Sequence, residues 1–162
     1  MAKIKTNTEQ TLKINEQKWT KPLIDAGWTC LPSVIIERQQ ALGLDAVDVN
    51  ILMHLAVHWW TEDNKPHPSK GTIATAMGMQ PRSIQRRLAK LEADGLIRRE
   101  ERRTGKTGSL TNRYHFDGLI KEATPYALER IEEIEAKKVQ ARERAARKAR
   151  PKLRLIKKDE DE

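Results

Sequence analysis

From Leu44 onward the apolar residues recur at helical spacing. In AVDVNILMHLAVHWW, Leu52, Leu55, Ala56 and Trp59 fall on one helical face that Val47 and Ile51 widen, and Asp45 stands ahead of them as a cap. The stretch Thr61 to Pro68, with Asn64, Pro66 and Pro68, cannot continue that helix and is read as a loop. A shorter stripe of Ile73, Ala74 and Met77 follows, opened by Ser69 as cap and closed by Gly78, where a helix end needs positive φ. A third stripe, Ile84, Leu88 and Leu91, stands at i, i+4 and i+7 between Pro81 and Gly95. The spacing then changes. Leu96-Ile97 begins a strand that becomes RREERR, Thr104 to Gly108 is a basic turn, and Asn112, Tyr114 and Phe116 share one face of the returning strand, so Tyr114 and Phe116 are expected to close the core.

The ends follow a different pattern. Residues 1–17 are polar, lack an apolar stripe and are expected to be flexible. Trp19, Leu23, Ile24, Trp28 and Leu31 make 18–43 an extension expected to pack on the core, with a short extended piece at Trp28 to Leu31. Ser33 is expected to cap a helix over Val34 to Leu42, which Gly43 terminates. Beyond Asp117-Gly118, Thr124-Pro125 reads as a further helix start, and Tyr126 to Arg150 holds almost only helix formers before Pro151. Leu128, Ile131 and Ile134 give this helix an apolar stripe for about two turns, but after Val139 the pattern dissolves into ARERAARKAR, which cannot sustain a coiled coil. The end, PKLRLIKKDEDE, is basic and then acidic, and 151–162 are read as disordered. The domain itself spans 44–118, and 119–150 form a C-terminal helical extension.

Short helix, tight turn, second helix and basic hairpin, in that order, make a winged helix-turn-helix. The predicted fold is therefore mainly α with a small β-hairpin wing, plus a long C-terminal helix. Once Ile84, Leu88 and Leu91 face inward, about 100° per residue turns Arg82, Arg86, Ala89, Lys90 and Ala93 outward, with Ser83 and Gln85 on the flanks. That face carries cations and small residues, with no acid at its centre. Arg87 sits nearer the buried edge, where it can pair with an acid.

The stretch PSKGTIATAMGMQPRSIQRRLAKLEADGLIRREER followed by TNRYHF resembles the winged-helix domains of bacterial, phage and plasmid regulators and replication initiators. Those commonly show a Pro-Ser opening, a small helix ending in Gly, an Arg-rich recognition helix ending in Leu-x-x-x-Gly-Leu-Ile, and a final Asn-Arg-Tyr strand. Here Gln80 and Pro81 stand where a Ser or Thr cap and a basic residue are usual. The resemblance implies docking of helix 81–94 in the major groove with the 98–113 wing over the phosphate backbone. By residue type, Arg82 and Arg86 would grip guanine O6 and N7, Gln85 would read adenine, and Ser83 would serve a base or a phosphate. Lys70, Thr72, Lys90, Arg102, Arg103 and Lys106 would hold phosphates, which position the protein without specifying sequence.

Composition supports this direction. With 31 Lys and Arg against 23 Asp and Glu, the 162-residue chain carries a formal charge of +8, which suits a polyanion: DNA first, though RNA or a membrane surface shares that attraction. No apolar run approaches the roughly 20 residues that cross a bilayer, and the single cysteine, Cys30, has no intrachain partner, so a cytoplasmic, nucleoid-associated protein without membrane contact is expected. His54 and His58 stand one turn apart with Asp63 and His67 beyond, but HLAVH lacks the glutamate of the zinc-protease motif, and no metal or other cofactor is expected. Trp59-Trp60 could be a stacking platform for single strands, but is better read as core plus a covered surface. No paired carboxylates or phosphate-binding loop remain, so the chain reads as a non-enzyme. The expected function is sequence-specific binding of double-stranded DNA by a homodimeric transcriptional repressor. The alternatives are a replication or partition protein of a plasmid or phage, with protein partners at its termini, and a nonspecific nucleic-acid-binding structural protein. The basic stretch Lys137 to Lys158 would be either a solubilising tail or a phosphate clamp.

Overall fold

The computed structural model describes residues 2–104 and 108–148. It has helices α1 (Ala2–Trp19), α2 (Lys21–Asp25), α3 (Ser33–Glu37), α4 (Ala46–Ala56), α5 (Lys70–Met77) and α6 (Pro81–Ala93). The hairpin β1 (Arg98–Thr104) and β2 (Gly108–His115) follows, and then helix α7 (Asp117–Lys148). This is the winged helix-turn-helix architecture with a long C-terminal helix.

The core lies where the three apolar stripes meet. Ile51, Leu52 and Leu55 of α4, Ile73 and Ala74 of α5, and Ile84, Leu88 and Leu91 of α6 are buried together. Each side chain of this size removed from water stabilises the fold by roughly 1.5–3 kcal/mol. Asp45 caps α4 through a reciprocal box: its Oδ1 accepts from the amides of Val47 and Asp48, while Asp48 Oδ2 accepts from the Asp45 amide. Ser69 caps α5 by accepting from the Thr72 amide at 2.9 Å. Gly78 closes α5 at φ 63°, a conformation that costs a residue with a β-carbon far more than glycine.

Antiparallel β1 and β2 pair with a shift of register: Glu100 faces Arg113 and Arg102 faces Leu110, so Glu101 alone stands against Thr111 and Asn112. Tyr114 and Phe116 are buried as expected, and Phe116 stacks on Trp59 with ring centroids 5.0 Å apart. The loop before α5 is tied to the hairpin through the Pro66 carbonyl, which accepts from the Tyr114 amide at 2.8 Å.

Four expectations change. The helix over Val34 to Leu42 shortens to Ser33–Glu37, with Pro32 rather than Ser33 as N-cap, because Val34 and Ile35 are its only buried residues; Leu42 and Leu44 reach the core through turns instead. Helix α4 stops at Ala56, which frees Trp59 to turn back onto Phe116 and leaves Trp60 exposed. In place of the flexible segment expected at 1–17, the chain is helical from Ala2 to Trp19, since Lys, Glu and Gln favour helix with no apolar stripe to bury. The last helix begins at Asp117, not at Thr124. Pro125 has no amide for the Lys121 carbonyl, but the turns before it are anchored by buried Leu119 and Ala123, which outweighs that loss.

A fifth correction concerns 18–43. Trp19, Leu23 and Trp28 are at least half exposed rather than packed on the core, and α2 has no buried residue. They surround an open apolar hollow with Ile24 and Leu31, so the segment gathers its large side chains among themselves. Only Val34, Ile35 and Leu42 of 18–43 join the core.

The chain divides into two compact units, Met1–Ala123 and Thr124–Glu162. In the first, the start of α7 lies against the turn after α6: the Leu119 amide donates to the Leu96 carbonyl at 2.8 Å, and a β-carbon on Gly118 would lie 1.8 Å from the Gly95 oxygen. In the second, residues 124–148 are one stretch of helix in which no described side chain is buried. The tail 151–162 lies outside the described residues.

Candidate nucleic-acid interface

Helix α6 sorts its charges by direction. On its inner edge Arg87 Nη1 reaches both Asp45 and Asp48, the latter at 3.3 Å, and Lys90 Nζ lies 3.5 Å from Asp48, 2.9 Å from Asp94 and 3.2 Å from the Gly43 carbonyl. Asp48 is fully buried, and these two cations supply the compensation that a buried carboxylate requires. The hydrogen bond to Asp45 holds the Arg87 proton more tightly still, and the one to Asp94 raises Lys90. Asp45 is pulled below the ordinary 3.8, first by the Asp48 amide and then by Arg87. This cluster joins α4 to α6 and so sets the attitude of α6 in the domain.

On the outer edge Arg82, Gln85 and Arg86 are exposed and Ser83 is half-buried. Among the described residues neither Arg82 nor Arg86 meets an acid. A shallow cleft on this side is lined by Lys70, Pro81, Arg82, Gln85, Arg86 and Ala89. Lys70, at the start of α5, donates from Nζ to Gln85 Oε1 at 2.8 Å. That bond fixes which end of the amide is occupied and leaves Nε2 to point elsewhere as a donor.

A second cleft runs between the helices and the hairpin, and its lining includes Ser69, Lys70, Gln85, Thr111, Asn112 and Tyr114. Lys70 and Gln85 border both clefts, so they stand where the helix surface turns toward the wing. Burial of the Tyr114 ring raises its phenol pKa and keeps it neutral there. Thr72 sits at the same corner, its Oγ1 2.9 Å from Ser69 Oγ.

The residues expected to form the site therefore fall into three groups. Arg82, Gln85, Arg86 and Lys70 line one cleft, Thr72 is joined to Ser69 of the adjoining one, and Ser83 is half-buried and lines neither. Lys90 is drawn into the inner acidic cluster, away from a phosphate role, because Asp48 and Asp94 both lie within its reach. On β1, Arg102 is half-buried and the exposed Arg103 lies 3.3 Å from Glu101; Lys106 lies outside the described residues. The hairpin also supplies residues that the charge pattern did not single out, Thr111 and Asn112, brought to the cleft where the register shifts. Asn112 had a signal in the sequence, the face it shares with Tyr114, and Thr111 had none.

At the base of the hairpin Arg99 pairs with Glu92 at the end of α6, which holds the Glu92 carboxyl low, and Glu100 lies 2.8 Å from His115 Nε2. The first contact fastens the hairpin to α6 and the second ties its two strands together, neither using the outer cations of α6. No described helix is long and apolar enough to cross a membrane.

No curated protein matches the chain. Residues 42–97, which run from the turn before α4 through α6 to the threshold of the hairpin, match the model of a family described as a helix-turn-helix domain, a likeness that supports DNA binding by this part of the chain.

Proposed function

We propose that the protein is a sequence-specific double-stranded DNA-binding regulator, a transcriptional repressor that acts as a homodimer and catalyses no reaction. The observation that carries this reading is the division of α6: inner cations are consumed in ion pairs, while Arg82 and Arg86 stand unpaired among the described residues beside Gln85. Unpaired guanidinium groups flanking a fixed amide are what base edges in the major groove require. Lys70, Thr72, Arg102 and Arg103 serve the phosphates around them.

Selection of bound fragments from random duplexes at near-physiological salt tests the reading, with Arg82→Ala and Arg86→Ala measured on the enriched site. Each should lose on the order of 1–3 kcal/mol there and much less on random DNA. Equal losses on both, or no enrichment, would reduce the protein to a nonspecific binder.

The exposed Trp19, Leu23 and Trp28 favour a second reading, a replication or partition component that recruits a protein through its N-terminal segment while the domain holds DNA. Enriched fragments that form iterated sites at an origin, in place of a palindrome in a promoter, would select it.

A further inference from the structure

Residues 124–148 form a helix that has buried none of its large apolar side chains. Leu128, Ile131, Ile134 and Val139 are each 41–55% exposed, although a helix destined only for water has no use for three branched aliphatics on neighbouring turns. Ala127, Ile131, Ile134, Lys138, Ala141 and Ala145 follow one another by steps of four and three, the spacing of a seam between paired helices. Along that seam both isoleucines lie in the first half and two of the three alanines in the second.

Charge divides at the same place. Residues 129–135 hold four glutamates against one arginine, and residues 137–148 hold six cations against one glutamate. A parallel pair would set acid beside acid, base beside base, and alanine beside alanine, which leaves the second half with too little apolar area. An antiparallel pair instead sets Ile131 against Ala141 and the acidic half against the basic half.

We propose that this helix is the contact surface for a second copy of the chain, paired antiparallel about a two-fold axis near Ala136. In this arrangement Ile131 lies against Ala141 of the second copy and Ala127 against Ala145. Ile134 lies under the four-carbon stem of Lys138, whose ammonium ends among the second copy's glutamates at 133 and 135. Large against small is the combination that lets two helices approach closely without a void. The inference deepens the homodimeric reading above and rests on it.

The test uses the full chain with Cys30→Ser as background, since Cys30 is exposed and would cross-link on its own. Mixed Ile131→Cys and Ala141→Cys chains should form an interchain disulfide under mild oxidation. Ile131→Cys alone should not, because its own counterpart lies ten residues, about 15 Å, along the seam. Disulfide formation by Ile131→Cys alone would establish parallel pairing and overturn the proposal. Sedimentation of the native-sequence chain supplies the second measurement: a mass of two chains is expected, falling to one in Ile131→Glu/Ile134→Glu. A dimer that survives that double substitution would refute this seam but leave the dimeric reading standing, whereas a native chain that is monomeric at every concentration would end both. Base preference, read from Arg82→Ala, is independent of either result.

Discussion

Arg86 and Arg87 are neighbours of the same type on the same helix, yet their surroundings have nothing in common. Arg87 lies between Asp45 and Asp48 and ties α6 to α4, while Arg86 borders an open cleft with no acid among the described residues. A step of about 100° around the helix separates a cation held by two acids from one left open to solvent. Residue type therefore says little about an arginine in such a helix; its angle from the buried stripe says most.

The largest effect should come from the inner side. Asp48→Ala removes the buried carboxylate, leaves Arg87 and Lys90 to face each other, and breaks the capping box of α4. Because both cations are partly exposed and can turn to water, the expected loss of stability is about 2–3 kcal/mol rather than the full cost of an orphaned buried charge. Chemical denaturation measures it. Arg86→Ala should change stability by no more than about 0.5 kcal/mol, and an equal loss in both variants would erase the distinction between the two edges.

On DNA the ranking should invert. Arg86→Ala is expected to cost about 1–3 kcal/mol at a selected site, while Arg87→Ala, measured where it is still folded, should leave the preferred sequence unchanged. A selection experiment on each variant that returned an altered motif for Arg87→Ala would show that the inner edge also reads bases.

A smaller change is expected at Asp45. Asp45→Asn keeps a capping oxygen but loses the charge facing Arg87, so the effect should appear mainly in pH dependence. The folded-state carboxyl titrates below the ordinary 3.8, so its contribution is fully present above that value and fades as pH falls through the depressed one. The stability of Asp45→Asn should therefore decline less steeply below about pH 4 than that of the native sequence. Parallel curves from denaturation at stepped pH would remove Asp45 from the acid response.

The smallest change is expected at Lys70. Lys70→Met frees the Gln85 amide and removes one phosphate partner, so the salt slope of DNA binding should fall by about one and the base preference opposite Gln85 should broaden. If slope falls while preference stays sharp, the bond between Lys70 and Gln85 has no part in reading.

Where local chemistry and packing agreed, the fold was legible in the residues. Asp45, Ser69, Gly78 and Gly95 mark ends that hold because an apolar stripe begins or stops at the same place, and the outward set Arg82, Gln85 and Arg86 followed from Ile84, Leu88 and Leu91 alone. Signals that depend on what lies elsewhere in the chain misled. Trp19 and Trp28 look like core residues, but hydrophobicity does not say which surface is left to receive them. Pro125 looks like a start because proline suits the first turn of a helix, whereas Leu119 and Ala123, both ahead of it in the chain, had already anchored the turns before it. Lys90 faces outward on a helical wheel, but a lysine stem is long enough to bend back to Asp48 of α4, which no wheel of α6 can show.

Gly118 has a bearing on how the molecule can be divided. With the Gly95 oxygen seated where its β-carbon would be, the first turns of α7 are the closing piece of the winged helix-turn-helix domain as well as the start of a new element. A fragment cut after the hairpin, at His115, would leave unfilled the places of Phe116, Leu119 and Ala123, and one ending just past Ala123 keeps them. Fusions and truncations made to isolate the winged domain should respect that line.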